Sequence, residues 1–92
     1  MRLIDGFCIR EVVGEVIAVP TGEAARIFSG IISLNDVSRF LFEKLQEDQT
    51  GESLLSALME EYEVDEGTAR ADIEEFLGKL REHGLILDAE TK

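Results

Sequence analysis

The chain has one cysteine, one histidine and few bases, and each shortage closes off a class of chemistry. Cys8 has no partner for an intramolecular disulfide, which points to a reducing compartment. It falls within a strand-like run, where a lone cysteine behaves as a small hydrophobe. Arg10, two residues on, is the only base on the same strand face that could favour a thiolate. His83 has no second histidine to work with, and it lies in the last turn of an expected helix. A cation is favoured there by the helix dipole, so a surface or capping role is expected rather than catalysis. No Gly-rich phosphate loop is present, and Gly22 and Gly30 are explained by turns. The acid pairs Glu60-Glu61 and Glu74-Glu75 are adjacent on helices, where neighbours do not face each other. With no nucleophile–base pair and no specific metal set, neither an enzyme nor a cofactor is expected. No apolar run approaches the ~20 residues that span a membrane. The first residues lack the apolar core of a secretory signal, so a soluble cytoplasmic protein is expected. Nine Lys and Arg stand against twenty Asp and Glu, a formal net charge of -11. Such a field repels phosphate backbones, which disfavours nucleic acid as a partner.

What is there is a change of rhythm. The chain of 92 residues suits one small domain, with residues 1–5 and 88–92 expected to fray. Up to residue 28 the apolar residues recur at strand-like intervals, and after residue 35 at helical ones. Phe7 to Val13 and Glu15 to Val19 read as a hairpin turning at Gly14. Pro20 ends the second strand, because it cannot donate to the ladder. Residues 23–28 fit either an irregular return or one loose helical turn. Ile31 to Leu34 is the third strand.

Three helices follow. The first runs from about Asp36 to Glu47, capped either by Ser33 in a box with Asp36 or by Asn35. Val37, Phe40, Leu41 and Leu45 form its apolar stripe. Thr50 caps the second, which runs to about Tyr62 on a stripe of Leu54, Leu55, Leu58 and Tyr62, with Met59 at its margin. Asp65 caps the third, which continues to His83 and stops at Gly84. Its stripe is Ala69, Ile73, Phe76, Leu77 and Leu80. Leu85-Ile86-Leu87 is a short strand or an extended segment packed on the core. The fold class is therefore α+β: an N-terminal three-stranded antiparallel sheet followed by three helices, like a winged helix-turn-helix.

With chemistry absent, recognition remains. The third helix carries Arg70, Lys79 and Arg81 among many acids, which makes a poor reading head for DNA. The strand Ile31 to Leu34 is uncharged, and no Lys or Pro blocks its edge. Such a strand is either an ordinary last strand, the reading favoured by the residues alone, or an edge that accepts an extended peptide. A winged-helix regulator and a dimerisation module that pairs two such edges are the alternatives.

Several segments together resemble the PqqD family. They are Val19 to Ala24, Gly30 to Asn35, Glu60 to Asp65, Asp72 to Leu77 and Leu80 to Leu85, and they extend over most of the chain from about Gly6 to Leu87. The resemblance implies a non-catalytic recognition element for ribosomally made, post-translationally modified peptides. In that family the leader of a precursor peptide adds as a strand to the third strand, in the groove beside the third helix. The element then presents the peptide to a modifying enzyme, often a radical S-adenosylmethionine enzyme, in pyrroloquinoline quinone synthesis or a related pathway. Carried onto this chain, the edge is Ile31, Ile32, Ser33 and Leu34. Ile73, Phe76 and Leu77 would form the apolar floor, and Asp72, Glu75 and Lys79 the polar rim. The acid excess predicts a leader that carries Lys or Arg. A monomer or a homodimer fits equally.

Overall fold

A computed structural model describes residues 1–87. The order of elements is β1 (Arg2–Leu3), β2 (Phe7–Val12), β3 (Glu15–Pro20), α1 (Gly22–Ile27), β4 (Ile32–Leu34), α2 (Asp36–Lys44), α3 (Gly51–Glu61), α4 (Glu66–Glu82) and β5 (Ile86–Leu87). Strands β2, β3 and β4 form an antiparallel three-stranded sheet in that order, and β1 pairs antiparallel with β5 in a separate two-stranded one.

The register sorts the faces of the larger sheet. Ile9 stands opposite Ala18, and Ala18 opposite Ile32. These residues and Leu34 belong to the apolar core or pack against it, because strand side chains alternate between faces. Cys8, Arg10 and Ser33 take the other parity and are exposed. Cys8 is therefore a surface thiol rather than a packed hydrophobe, displaced outward by its inward neighbours Phe7 and Ile9. The hairpin turns through Val13 and Gly14, both with positive φ, at +50° and +80°. Such a pair is the mirror-image turn that matches strand twist.

Of the two caps open to α2, Asn35 is used. Its side chain accepts from the Ser38 amide at 2.8 Å, and the Ser38 hydroxyl accepts from the Asn35 amide at 3.0 Å. The expected Ser33–Asp36 box does not form, since Ser33 belongs to β4. The helix ends at Lys44, short of the expected Glu47, where Gln46 and Glu47 make tighter turn bonds to Glu43 and Lys44. Its buried face is also wider than the expected stripe. Phe42 is buried and meets the edge of Phe7 at 5.4 Å, while Phe40 lies on the other flank against Tyr62 at 5.7 Å. The helix packs on the sheet side and on α3 at once, so one stripe cannot describe it.

Thr50 and Asp65 cap α3 and α4 as expected. All five stripe residues of α4 are buried. Gly84, at φ +72°, closes α4 with two bonds: its own amide to Arg81 and the Leu85 amide to Leu80. This is the Schellman arrangement, and it turns the chain so that Leu85 enters the core. The uncertain residues 23–28 resolve as the short helix α1, with Ala24 buried.

The start of the chain corrects the expectation of fraying at residues 1–5. Leu3 is 1% exposed and Ile4 7%. The Leu3 amide bonds Leu45, and the Ile4 amide bonds Leu85, both at 2.9 Å. With β1 paired to β5, the first residues are held by burial and by the far end of the chain. The expected fraying of residues 88–92 lies outside the described residues.

Candidate functional site

Strand β4 is hydrogen-bonded on one side only, to β3. Its other edge has no strand partner among the described residues, so its outward amides and carbonyls are open to another chain. Two things place that edge. Pro20, Gly22 and α1 carry the chain from the end of β3 back to the start of β4, and the Asn35 cap swings it directly into α2. The edge strand is thereby held at both ends by local structure rather than by a second neighbour.

Beside the edge runs a groove whose far wall is α4. It has two lobes that share Asn35, Ser38, Phe76 and Lys79. One lobe, about 340 Å³, also takes Phe28, Ile31, Ile32, Ser33, Leu80 and His83. The other, about 170 Å³, takes Val37, Leu41, Asp72 and Glu75. Since Ile31 is grouped with His83 and Asn35 with Asp72, β4 and α4 run in opposite directions along it. The floor is apolar where Phe76 and Leu80 emerge from the core. Ile31 is 58% exposed, a large aliphatic side chain lying in the groove with no apolar cover. At the His83 end the imidazole packs against Phe28 at a tilt, 4.7 Å between centroids.

The family described as Coenzyme PQQ synthesis protein D (PqqD) matches residues 10–86. The chain belongs to the PqqD family. Among solved structures, it is similar to that titled "TbiB1 in Complex with the TbiA(beta) Leader Peptide", at 25% identity over the whole of both chains and a TM-score of 0.67. No curated protein matches the chain.

The groove of this PqqD-family chain gathers most of the residues singled out from the sequence, though not all. Ile31, Ile32 and Ser33 line it from the strand side, and Asp72, Glu75, Phe76 and Lys79 from α4. Ile31 lies just before β4 rather than within it. Leu34 is buried on the sheet's core face, and its surface borders a different hollow, near Gly14 and Asp36. Ile73 and Leu77 do not line the groove. They are 4% and 6% exposed, turned into the core one helical position away from the face that carries Phe76 and Lys79.

Sequence reasoning did not place Phe28, Asn35, Ser38, Leu80 or His83 in the groove. Leu80 was readable, because it lies four residues beyond Phe76 on the same helical face. Phe28 was not, since it precedes a turn whose path no local pattern fixes. For His83 the sequence predicts a surface or capping role, and it is the C-cap of α4. Its ring faces the groove because Phe28 offers it a partner.

No group of three or more His, Cys, Asp or Glu among the described residues could hold a metal ion. No described helix is long and apolar enough to cross a membrane.

Proposed function

We propose that this PqqD-family chain is a non-catalytic peptide-binding protein. It captures the leader of a ribosomally made precursor peptide by adding it as a strand to β4, and presents it to a modifying enzyme. In this reading Ile31, Ile32 and Ser33 supply the edge. Phe76 supplies the floor, and Asp72, Glu75 and Lys79 the rim. The observation that carries it is the β4 edge, without a strand partner among the described residues, lying directly beside a groove with an apolar floor. Backbone bonds to such an edge give affinity, and the pockets beside it read alternate side chains. The likeness to a structure titled as a leader-peptide complex supports the same class of ligand. The family name supports, at the level of a proposal, a pathway that makes pyrroloquinoline quinone or a related modified peptide, with a radical S-adenosylmethionine enzyme as the partner.

Two other occupants of the same surfaces are less well supported. A winged-helix regulator would need a cationic α4. Arg70, one of its three bases, is already paired with Glu66 at 2.9 Å and Glu52 at 3.2 Å, and both carboxylates push its pKa up. A second copy of the chain pairing through β4 would use the same edge as a peptide. Light scattering with and without peptide separates these, since a peptide that competes for the edge would dissociate the dimer.

The deciding experiment seeks a short candidate precursor among the genes neighbouring this one and synthesises its leader. Titrated into the isotope-labelled chain, the leader should shift the amides of Ile32–Leu34 and of α4 about Phe76 and Lys79. Shifts confined to other surfaces, or none at saturating leader, would remove the proposal.

A further inference from the structure

The charge on the groove is not the charge of the chain. The protein as a whole carries a formal net charge of -11, which by itself predicts a basic ligand. Along the groove, however, α4 presents Asp72 and Glu75 beside Asn35, then Lys79 where the lobes meet, then His83 beside Ile31. Acid and base are ordered along its length.

These charges are also unspent. Glu75 and Lys79 stand one helical turn apart, acid first, in the order that favours an ion pair. Yet Asp72, Glu75 and Lys79 make no ion pair or hydrogen bond among the described residues. Elsewhere on the surface such pairs do close, as with Arg39 and Glu43 at 3.2 Å and Arg70 and Glu66 at 2.9 Å. Along the groove, opposite charges therefore lie near one another and stay available.

We propose that the groove selects its peptide by charge order. A basic side chain lies toward Asp72 and Glu75, an acidic one toward Lys79, and a large aliphatic or aromatic one against Phe28, Ile31 and Leu80. This rests on the peptide-capture reading above. The direction follows from the sheet. Every strand pair among the described residues is antiparallel, and that pairing is the more stable per residue. A peptide antiparallel to β4 enters at Asn35 and leaves at Ile31, so its basic residue comes first. The spacing follows from the two rises. One turn of α4 advances about 5.4 Å, and a strand advances about 3.4 Å per residue. Successive groove residues of α4 therefore face roughly every second peptide residue, which are the side chains on one strand face. The sequence signature is basic, any, acidic, any, apolar.

A random dodecapeptide library displayed on phage and panned on the immobilised full chain tests this. The wild-type chain should enrich peptides with the basic residue two positions before the acidic one, followed by the apolar residue. The exposed variant Lys79→Glu should bind a synthetic wild-type-selected peptide about tenfold more weakly. Changing that peptide's acidic residue to Lys should restore its binding to Lys79→Glu. Enriched peptides with no charge order, with the reverse order, or with a consensus unmoved by Lys79→Glu overturn the proposal. Amide hydrogen exchange on the wild-type chain separates this from failure of the capture reading. A selected peptide that leaves Ile32–Leu34 unprotected, or a library that enriches nothing, overturns both.

Discussion

The imidazole of His83 lies on the ring of Phe28, with centroids 4.7 Å apart and planes tilted by 57°. This contact joins the C-cap of α4 to the segment that leads into β4, and so closes one end of the groove. An aromatic contact at an exposed site is worth about 0.5 kcal/mol beyond its burial. His83→Ala should therefore lower stability only by that order, measured by chemical denaturation. It should weaken leader binding measurably by calorimetry, and His83→Phe should restore it. Equal affinity in all three would detach this end of the groove from recognition.

The edge itself is tested by proline. The amides of Ile32 and Ser33 alternate, one turned to β3 and one turned outward. A proline at the outward position removes a donor that only the peptide uses. Of Ile32→Pro and Ser33→Pro, one should abolish leader binding while melting close to the wild type. The other should lower the melting temperature by breaking the β3–β4 ladder. Unaltered calorimetric binding in both variants would refute strand addition here.

Gly6 fixes the approach to the sheet from the other side. Its φ is +108°, and a side-chain carbon there would stand 2.5 Å from the Thr21 carbonyl oxygen. The Gly6 carbonyl accepts from both the Thr21 amide, at 2.6 Å, and the Thr21 hydroxyl, at 3.1 Å. Gly6→Ala combines a strained conformation with a backbone clash and should cost about 2 kcal/mol. Ala at Gly14, where no atom lies within 4 Å, adds φ strain alone and should cost less. Equal losses in urea denaturation would contradict the account.

The cap of α4 sets an acid limit. The Asp65 carboxylate accepts the Thr68 amide at 2.7 Å, and this bond holds its pKa below the ordinary 3.8. A carboxyl whose folded pKa is depressed stabilises the fold above its unfolded pKa. That stabilisation fades as pH falls through the folded value. Asp65→Asn keeps a neutral cap and lacks this titration. The stability difference between wild type and Asp65→Asn should be constant above about pH 5 and change only on the acid side of it. A difference that varies near neutrality instead would assign the titration to another group.

Much of this was legible because its causes are local. Thr50 and Asp65 announce helix starts by their own side chains, and Gly84 announces a stop by a φ that other residues avoid. The five buried residues of α4 are fixed by period alone. What was not legible depends on contacts between distant residues. Ile73 and Phe76 share a stripe, and only the angle of α4 against β4 decides which of them meets the groove. Asn35 won over Ser33 as a cap because Ser33 was already committed to β3, a choice that register makes and propensity cannot. Leu3 and Ile4 read as an end of chain until Leu45 and Leu85 were found beside them.

The pairing of Arg2 with Leu87 and Leu3 with Ile86 has a consequence in time. The two strands lie at opposite ends of the described residues, with every other element between them. Contacts at such sequence separation are slow to form, because the whole intervening chain must close into a loop. The sheet of β2, β3 and β4 needs no residue beyond Leu34, so the edge that would hold a peptide can be built early. The β1–β5 closure records that everything between has folded.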